Sequence, residues 1–528
     1  MSGNHAFKLT YSTMYNPPEE LHTRFEEALD QVKSELGQDH GLFIDGQDRF
    51  VAEKLEDRTP IDTGILLGTF QKGTAQDAQD ALAAARRAFP LWSRMPWQDR
   101  VAMIRRAADI INERIFKMAA VLSLEVGKNR MESLGDIAES ADLFRYACDQ
   151  MEINRGFIVQ MKSDPLQGYE SSNTSVLRPY GVWLVISPFN FPGALTAGPV
   201  GHALVAGNTV VIKPASDTPW TPRLLVECLR DAGIPDGVVN FVTGPGSSLG
   251  QALVESAEVD GLTFTGSYDV GMGIYRAFAN GKYVRPIILE LGGKNPAIVS
   301  RNADIEAAAA GIVRSAFGLQ GQKCSACSRV LIEEPVYDQV VERVMALTKK
   351  LSIGDPTDRQ VFLGPVVNQT AYQDYQTFCE MLNRDGKIIT GGQTLREGKY
   401  SSGYFCEPTL VVDLPFEHPL WQQEMFLPIT TIGKVKDLEE AMRIANSVDY
   451  GLTAGFYGTE EESAWFFDKI QAGVTYVNRS QGATTGAWPG FQPFGGWKAS
   501  GSTGKNAGGP HYLQAYLHEQ IRTVIRKA

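Results

Sequence analysis

The stretch between residues 181 and 291 alternates short apolar runs with segments of helical character. Buried strands that alternate with helices favour a mostly parallel sheet covered on both faces. A ligand of such a fold lies outside the carboxyl ends of the strands. The predicted strands are 182–186, 209–212, 238–242, 262–264 and 287–291, and the predicted helices are 193–206, 222–231 and 249–257.

The N-terminal part of the chain is predicted to be helical. Residues 1–39 form a polar lead with one helix that stops at Gly37. Residues 74–155 carry further helices, of which the first has an apolar stripe ending before Pro90, and another covers 136–146. The apolar residues at helical spacing are Phe25, Leu29, Val32 and Leu36 in the lead, and Ala78, Leu82, Ala85 and Phe89 in the stripe.

A second α/β stretch begins near residue 292. Asp304 suits the start of a helix that runs to Phe317, and Gly318 suits its end. The polar segment 156–179 fits a protruding hairpin, and 516–527 fits an edge strand.

Composition excludes several classes of partner. The chain has 528 residues, enough for several domains, and 50 basic against 61 acidic residues give a net charge of −11. Phosphate backbones repel such a chain, so nucleic acid is not expected as a partner. We find no signal-peptide pattern and no apolar run of ~18 residues that would span a membrane. Six cysteines are sparse for a secreted scaffold and indicate reduced thiols in a cytoplasmic compartment.

Cys324 lies in GQKCSAC, after the predicted helix that ends at Phe317. One interpretation is a nucleophilic thiolate in a loop with exposed amides and Lys323 beside it. The other is a buried structural cysteine, which the residue type alone favours. Cys324 and Cys327 also form a CxxC, but no second ligand pair completes a zinc site, so no metal is expected.

Glu290 ends the apolar strand in PIILELGGK. Burial would raise the pKa of this carboxyl group towards the range of a general base. From position alone, a solvated carboxylate at a strand end is equally favoured.

The glycine-rich segment 244–250 follows a predicted strand and misses the dinucleotide fingerprint by one residue. Residues 246–250 fit GxSxG, which raises a serine hydrolase with Ser248 as nucleophile. Three residues separate the strand from this motif, and only His418, His511 and His518 lie downstream as bases. A glycine-rich turn that opens a helix explains the segment equally well.

Seven strings in this order resemble motifs of the aldehyde dehydrogenase superfamily, and the similarity runs from about residue 40 to the C-terminus. They are ISPFNFP (186–192), VVIKPAS (210–216), FTGS (264–267), LELGGKNP (289–296), GQKCSA (321–326), EMFLPI (424–429) and PFGGWKASG (493–501).

The resemblance implies a mechanism. Cys324 attacks an aldehyde, and the Asn190 amide and the Cys324 backbone N–H hold the oxyanion. Hydride passes to a nicotinamide, and Glu290 activates the water that hydrolyses the resulting thioester. Phe191 and Phe494 would line the aldehyde tunnel.

The resemblance also implies cofactor contacts. Lys213 and Glu424 would reach ribose hydroxyls, Ser267 would face the pyrophosphate, and Phe426 would pack near the nicotinamide ribose. Ser216 stands where many NAD-specific members carry Glu, so NAD is expected and NADP is permitted. The other expected contacts are Ile186, Ser187, Pro188, Phe189, Gly246 and Leu291.

Three further strings resemble the branch that oxidises L-glutamate γ-semialdehyde, the open form of 1-pyrroline-5-carboxylate. They are EVGKN (125–129), GQKCSACSR (321–329) and AGGPHYL (507–513). In that branch, residues matching Ser325, Gly486 and Ala487 hold the substrate carboxylate, and one matching Glu139 meets the ammonium group. The insertion RSQGAT (479–484) is long, and Leu291 stands where the branch often has Thr. Another semialdehyde dehydrogenase, such as one for succinate semialdehyde, is therefore the alternative.

The resemblance implies an α/β fold with a Rossmann-type cofactor domain, an α/β catalytic domain and a β-hairpin for oligomerisation. The expected ranges are 1–39 for the lead, 40–155 and 180–291 for the cofactor domain, 292–490 for the catalytic domain, and 156–179 with 507–528 for the oligomerisation element. Because an extended hairpin has little core of its own, we expect at least a homodimer.

Overall fold

The computed structural model describes residues 8–10, 13–14, 17–480 and 487–528. Its α-helices are α1 (Glu19–Ser34), α2 (Ala75–Arg94), α3 (Trp97–Glu113), α4 (Ile115–Val126), α5 (Arg130–Ile153), α6 (Ala194–Ala206), α7 (Trp220–Asp231), α8 (Gln251–Glu255), α9 (Tyr268–Ala279), α10 (Ile305–Phe317), α11 (Tyr337–Thr348), α12 (Gln369–Asp385), α13 (Pro419–Gln422), α14 (Leu438–Asn446) and α15 (Glu460–Lys469). In the described ranges, no helix is both long and apolar enough to cross a membrane.

The strands of the described ranges fall into five sheets. They are β1 (Gln38–His40), β2 (Leu42–Ile44), β3 (Gln47–Arg49), β4 (Lys54–Arg58), β5 (Leu66–Gln71), β6 (Ile158–Gln160), β7 (Tyr169–Pro179), β8 (Val182–Ile186), β9 (Thr209–Lys213), β10 (Val239–Phe241), β11 (Gly261–Thr265), β12 (Ile287–Glu290), β13 (Asn295–Val299), β14 (Cys327–Glu333), β15 (Lys387–Thr390), β16 (Thr409–Val412), β17 (Ile429–Val435), β18 (Tyr450–Gly451), β19 (Thr453–Tyr457), β20 (Val474–Val477), β21 (Trp497–Lys498) and β22 (Leu517–Lys527).

The first large sheet confirms the prediction of parallel strands in this part of the chain. Its order is β12-β11-β8-β9-β10-β2-β3, and the five strands from β12 to β10 are parallel. The chain leaves β8 towards β9 on one side and returns to β11 on the other. That reversal opens a crevice at the carboxyl ends of β8 and β11.

Helices cover both faces of this sheet. Along β8, Val182 and Leu184 belong to one core cluster with α2, whereas Trp183 and Val185 belong to another with α6. Successive side chains of a strand point to opposite faces, which explains why the whole run is apolar.

The second large sheet carries the segment around Cys324. Its order is β15-β16-β17-β14-β13-β19-β20, parallel except for β15 at one edge. Asp304 accepts a hydrogen bond from the Ala307 N–H at the start of α10, as predicted. A single helical turn, Gly318–Gly321, then leads to Cys324 and into β14.

The predicted hairpin and edge strand form one sheet of order β22-β7-β6. β22 pairs antiparallel with β7 along its full length, from Leu517 opposite Pro179 to Lys527 opposite Tyr169. Several large apolar side chains of this sheet are exposed, including Ile158, Val159, Ile521, Val524 and Ile525.

Several predicted helix boundaries were wrong. The helix predicted over 136–146 extends over Arg130–Ile153 as α5, and the helix predicted over 222–231 begins at Trp220. α1 ends at Ser34, before Leu36. α2 continues through Pro90 to Arg94, because Trp92 is fully buried and its indole N–H donates to the Leu204 carbonyl at 3.1 Å. The helix predicted over 249–257 is shorter, and a wide turn over Gly246–Gly250 precedes it.

Candidate active site

The carboxyl ends of β8, β9, β11 and β12 surround a cavity of about 930 Å³ at the crevice. Nearly all of the predicted cofactor contacts line it, together with Asn190, Glu290 and Cys324. Ser216 is exposed next to the lining residue Ala215. The predicted contacts on its wall are Ile186, Ser187, Pro188, Phe189, Lys213, Gly246, Ser267, Leu291, Glu424 and Phe426.

A second, smaller cavity of about 90 Å³ adjoins the first, and Cys324 and Glu290 line both. A group bound to the Cys324 sulfur is therefore accessible from both cavities. The predicted substrate contacts on the wall of the small cavity are Glu139, Phe191, Ser325, Ala487 and Phe494. Gly486 lies outside the described residues.

Cys324 is held by backbone contacts on a strained turn. The turn before it contains Leu319 and Gln320 at φ 48° and 55°, a left-handed conformation that is costly for residues other than glycine. The carbonyl of Cys324 accepts a hydrogen bond from the Asn295 amide at 2.6 Å. Burial raises the pKa of the Cys324 thiol, and the carboxylates of Glu424 and Glu290 raise it further.

The structure corrects the expected role of Lys323. Its ammonium group is buried and pairs with the Glu132 carboxylate at 2.5 Å. Glu132 also accepts the Leu319 backbone N–H at 3.0 Å. Lys323 therefore fixes the loop of the nucleophile to α5, and its charge is balanced by Glu132 rather than by a thiolate.

Asn190 lies between β8 and α6 and is buried beside the Cys324 loop. Its amide donates to the Gln322 carbonyl at 3.0 Å. The amide nitrogen carries two N–H groups, so one more is available to an oxygen in the cavity.

Glu290 sits at the last position of β12 and is only 9% exposed. Burial raises the pKa of its carboxyl group well above the ordinary value, which agrees in direction with the prediction for a general base. Its Oε2 atom has no hydrogen-bond partner in the described structure.

The cavity wall offers charge and amide groups suited to a dinucleotide. Ser267 stands at the N-cap of α9, where free N–H groups and the helix dipole favour an anion. Burial lowers the pKa of Lys213 to about 8, and its ammonium donates to the Pro214 carbonyl at 2.9 Å. Burial raises the pKa of Glu424 to about 7, and Glu424 accepts the Gly293 N–H at 2.9 Å.

Sequence comparison places these residues in a known family. The model of the aldehyde dehydrogenase family matches residues 47–522. The chain is 40% identical over 508 residues to 1-pyrroline-5-carboxylate dehydrogenase from a Geobacillus species, covering 95% of each chain. The chain belongs to the aldehyde dehydrogenase family. The enzyme of this name from Staphylococcus saprophyticus is 38% identical over 504 residues, covering 94% of this chain and 95% of the relative.

Solved structures support the assignment of this chain to the aldehyde dehydrogenase family. 1-Pyrroline-5-carboxylate dehydrogenase from Thermus with bound NAD matches at a TM-score of 0.92 and 34% identity, covering all of both chains. Betaine aldehyde dehydrogenase from Staphylococcus aureus in complex with NAD+ matches at 0.87 and 27% identity, covering 96% of this chain and 97% of the other. The predicted α/β fold and family are therefore confirmed.

The described residues of this dehydrogenase do not assemble a serine hydrolase triad. Ser248 is exposed on the turn before α8. His418 instead contacts Asp385 at 3.3 Å and accepts the Leu420 N–H at 3.1 Å. His518 packs against Tyr180 at a ring distance of 4.5 Å.

The two cysteines of the CxxC motif lie in different environments. Cys324 lines the two cavities. Cys327 is buried in the core of the second sheet, where its thiol contacts the Arg329 carbonyl at 3.5 Å. Within the described ranges, no cluster of three acidic, histidine or cysteine side chains could hold a metal ion.

Several residues that line the small cavity were not predicted from the sequence. Trp488 donates its indole N–H to Asp142 of α5 at 2.9 Å, which ties the 487–492 segment to that helix. Tyr512 also lines the cavity. Two strings offered a signal, since AGGPHYL contains Ala507 and Tyr512, and FTGS contains Thr265. The other wall residues are Leu143, Ala194, Leu195, Gly198, Pro199, Pro489 and Gln492.

Proposed function

We propose that this dehydrogenase oxidises L-glutamate γ-semialdehyde to L-glutamate with NAD, as a 1-pyrroline-5-carboxylate dehydrogenase of proline and arginine catabolism. The observation that carries the proposal is the position of Cys324 and Glu290 where the dinucleotide-sized cavity meets the small one. The relatives with this substrate in their name cover nearly the whole chain.

The large cavity fits NAD. Apolar side chains of α8 and α9 line a slot for a flat ring, the N-terminus of α9 suits the pyrophosphate, and Lys213 and Glu424 suit ribose hydroxyls. The slot residues are Val254, Val270, Ile274 and Ala277. When bound, NAD supplies the hydride acceptor.

The residues around the small cavity perform the remaining chemistry. The Cys324 thiolate forms a bond to the aldehyde carbon, and the Asn190 amide and the Cys324 backbone N–H stabilise the oxyanion. After hydride loss a thioester remains on Cys324. Glu290 takes a proton from water, the hydroxide bonds to the acyl carbon, and the C–S bond breaks to release the acid. Since the raised pKa of Glu290 reflects burial, this carboxylate is a competent base once ionised.

Substrate selection is assigned to the wall of the small cavity. Ser325 beside the nucleophile and Ala487 would hold the substrate carboxylate, and Glu139 on α5 would meet its ammonium group. Gly486, the third residue expected at the carboxylate, lies outside the described residues. Phe191 and Phe494 would flank the aliphatic chain.

The test measures formation of reduced cofactor with glutamate γ-semialdehyde and with succinate semialdehyde. A preference for the first supports the proposed substrate, and a preference for the second keeps the mechanism but overturns the substrate. Cys324→Ala should abolish turnover and keep NAD binding in a calorimetric titration. Cys327→Ala, which removes a neighbouring thiol from the core, is the matched control and should retain turnover.

Cofactor choice has its own test at Ser216. This small neutral residue at the cavity edge leaves room for a ribose hydroxyl or a 2′-phosphate. Ser216→Glu should lower kcat/KM with NADP about tenfold or more relative to NAD, since a carboxylate repels the 2′-phosphate. An unchanged ratio would contradict the assigned position of the adenosine ribose.

We also propose a homo-oligomer in a reducing, cytosolic compartment. Apolar side chains on the β22-β7-β6 sheet are exposed in the single chain, and an interface with a second subunit would bury them. All six cysteines are free thiols, which suits a reducing compartment. We further propose the division into a cofactor domain, a catalytic domain and an oligomerisation element at the boundaries expected from the sequence.

A further inference from the structure

Three consecutive backbone carbonyls at the nucleophile accept hydrogen bonds from two side chains of neighbouring strands. Asn295 of β13 is 2% exposed, and its amide nitrogen donates to the Cys324 carbonyl at 2.6 Å and to the Ala326 carbonyl at 2.9 Å. The Thr453 hydroxyl donates to the Ser325 carbonyl between them at 3.4 Å. The ladder between β13 and β14 shifts register at Asn295, an irregularity of the kind that re-aims side chains next to active sites.

The Asn295 side chain is held on every side. Its oxygen accepts the Thr453 N–H of β19 at 2.9 Å, and its two N–H groups serve the two carbonyls beside the nucleophile. Gly293 leaves room for this contact, since an added Cβ there would lie 2.5 Å from the Cys324 carbonyl oxygen. A buried amide with all of these partners keeps one orientation, and it therefore fixes the orientation of the Cys324 carbonyl.

The held carbonyl determines where one backbone N–H points. The Cys324 carbonyl and the Ser325 N–H belong to one planar peptide unit, in which the two groups point in opposite directions. Burial and the carboxylates of Glu424 and Glu290 raise the pKa of the Cys324 thiol, whereas hydrogen bonds from the backbone N–H groups of Ser325 and Cys324 oppose that rise. Asn295 binds the end of this peptide unit that lies opposite the N–H.

We infer that Asn295 is a positioning residue for the nucleophile: it holds the Cys324 carbonyl so that the Ser325 N–H is directed at the Cys324 sulfur. This inference rests on the proposed attack of Cys324 on the aldehyde. Lys323, the cationic neighbour of Cys324 in sequence, is paired with Glu132. A fixed N–H donor favours the thiolate without a further charge in the cavity.

Asn295→Ala tests the inference without any aldehyde. Once the amide is lost, the Cys324 carbonyl can turn and the Ser325 N–H leaves the sulfur. Because the thiolate is the form that reacts with iodoacetamide, loss of this hydrogen bond should slow alkylation of Cys324 about tenfold at any pH below its midpoint. A merely structural role predicts the opposite change, since a loosened site exposes the thiol and speeds alkylation. Cys327 is 2% exposed and stays unmodified while the protein is folded.

Asn240 provides a matched control in the first large sheet. Its buried side chain accepts the Asp45 N–H at 3.0 Å and donates to the carbonyls of Gly237 and Val210 at 2.8 and 3.4 Å. Asn240→Ala removes the same pattern of hydrogen bonds away from the nucleophile. It should leave the alkylation rate of Cys324 within about twofold of the wild type.

The first turnover gives a second measurement. The burst of reduced cofactor with glutamate γ-semialdehyde should be about tenfold slower in Asn295→Ala, because attack by Cys324 precedes hydride transfer. Calorimetric titration should give a Kd for NAD within about twofold of the wild type, since the described lining of the large cavity does not include Asn295.

The possible outcomes separate the two proposals. Wild-type enzyme that forms no reduced cofactor from either aldehyde overturns the proposed function, whereas the alkylation rates need no aldehyde and decide the inference. Alkylation of folded Asn295→Ala at the wild-type rate or faster overturns the inference, and so does an equal slowing in Asn240→Ala. Thermal melting shows whether each variant is folded. If Asn295→Ala is not folded, Gly293→Ala replaces it, because the added methyl group pushes against the Cys324 carbonyl; slower alkylation then supports the inference and an unchanged rate overturns it.

Discussion

Lys128 and Asp136 form an ion pair at 2.8 Å, and both side chains are fully buried. The Lys128 ammonium also lies 3.4 Å from the centroid of the Phe191 ring. The second carboxylate oxygen of Asp136 accepts the Ala194 N–H at 2.6 Å, at the start of α6. The pair therefore holds both ends of the short loop that follows Asn190.

Asp136→Asn should destabilise the protein by about 3 kcal/mol or more, because it leaves the buried Lys128 ammonium without a counter-ion. Urea unfolding followed by circular dichroism measures the change. Asp109→Asn is the matched control: Asp109 pairs with Arg145 at 2.8 Å at the surface, where such pairs contribute less than about 1 kcal/mol. Equal effects of the two substitutions would mean that Lys128 finds another partner.

The parallel strands and the residues that line the cavities could be predicted from the sequence. The apolar runs predicted five parallel strands because a strand buried on both faces must be apolar throughout. The order of short motifs then predicted which residues share the cavities. Both signals are local in the chain.

The contacts that orient those residues are not local. Lys323 directly precedes Cys324 in sequence but pairs with Glu132, nearly two hundred positions away. Among the residues that the structure describes, Glu290 Oε2 has no donor, and Tyr512 lies on the wall of the same cavity although it comes from a distant segment. A sequence pattern predicts on which face of a helix or strand a residue lies. The residue that its side chain contacts depends on how elements that are distant in sequence pack together.

The reactivity of Cys324 should depend on pH in a way that reports its neighbours. Burial and the Glu424 and Glu290 carboxylates raise the pKa of the thiol, so alkylation by iodoacetamide should accelerate only at alkaline pH. Glu290→Gln removes one nearby negative charge and should move the midpoint of the alkylation profile to lower pH.

Peptide mass spectrometry gives this midpoint for each cysteine. Cys327, which is 2% exposed, is the internal control and should stay unmodified while the protein is folded. A midpoint that rises or stays constant in Glu290→Gln would show that Glu290 does not face the thiol.

His202 should lower the free energy of unfolding of the protein at acidic pH. Burial lowers the pKa of His202 in the folded state to about 4, whereas an unfolded histidine titrates near 6.5. Below about pH 6.5 His202 binds a proton in the unfolded chain but stays neutral in the folded protein. The contribution of His202 to the free energy of unfolding is therefore fully present above about pH 6.5 and falls until about pH 4. Between about pH 7 and about pH 5 the expected loss from this group is about 2 kcal/mol.

Urea unfolding of His202→Gln at both pH values measures that contribution. The variant should be less stable than wild type at about pH 7, and the difference should shrink at about pH 5. His511→Gln changes an exposed histidine and controls for loss of a histidine in general. A constant difference between His202→Gln and wild type would contradict a neutral, buried His202.

The β22-β7-β6 sheet should be the contact between subunits. Ile521 and Ile525 lie on one face of β22 and are 55% and 53% exposed, and Val159 of β6 is 56% exposed. Ile521→Glu places a charge in this apolar patch and should release monomers, because covering one such side chain stabilises an interface by about 2 kcal/mol and burying a charge opposes it. Light scattering after size-exclusion chromatography gives the mass. Gln520→Glu adds the same charge at the adjacent, polar position and should leave the oligomer intact, so dissociation of both variants, or of neither, would place the interface elsewhere.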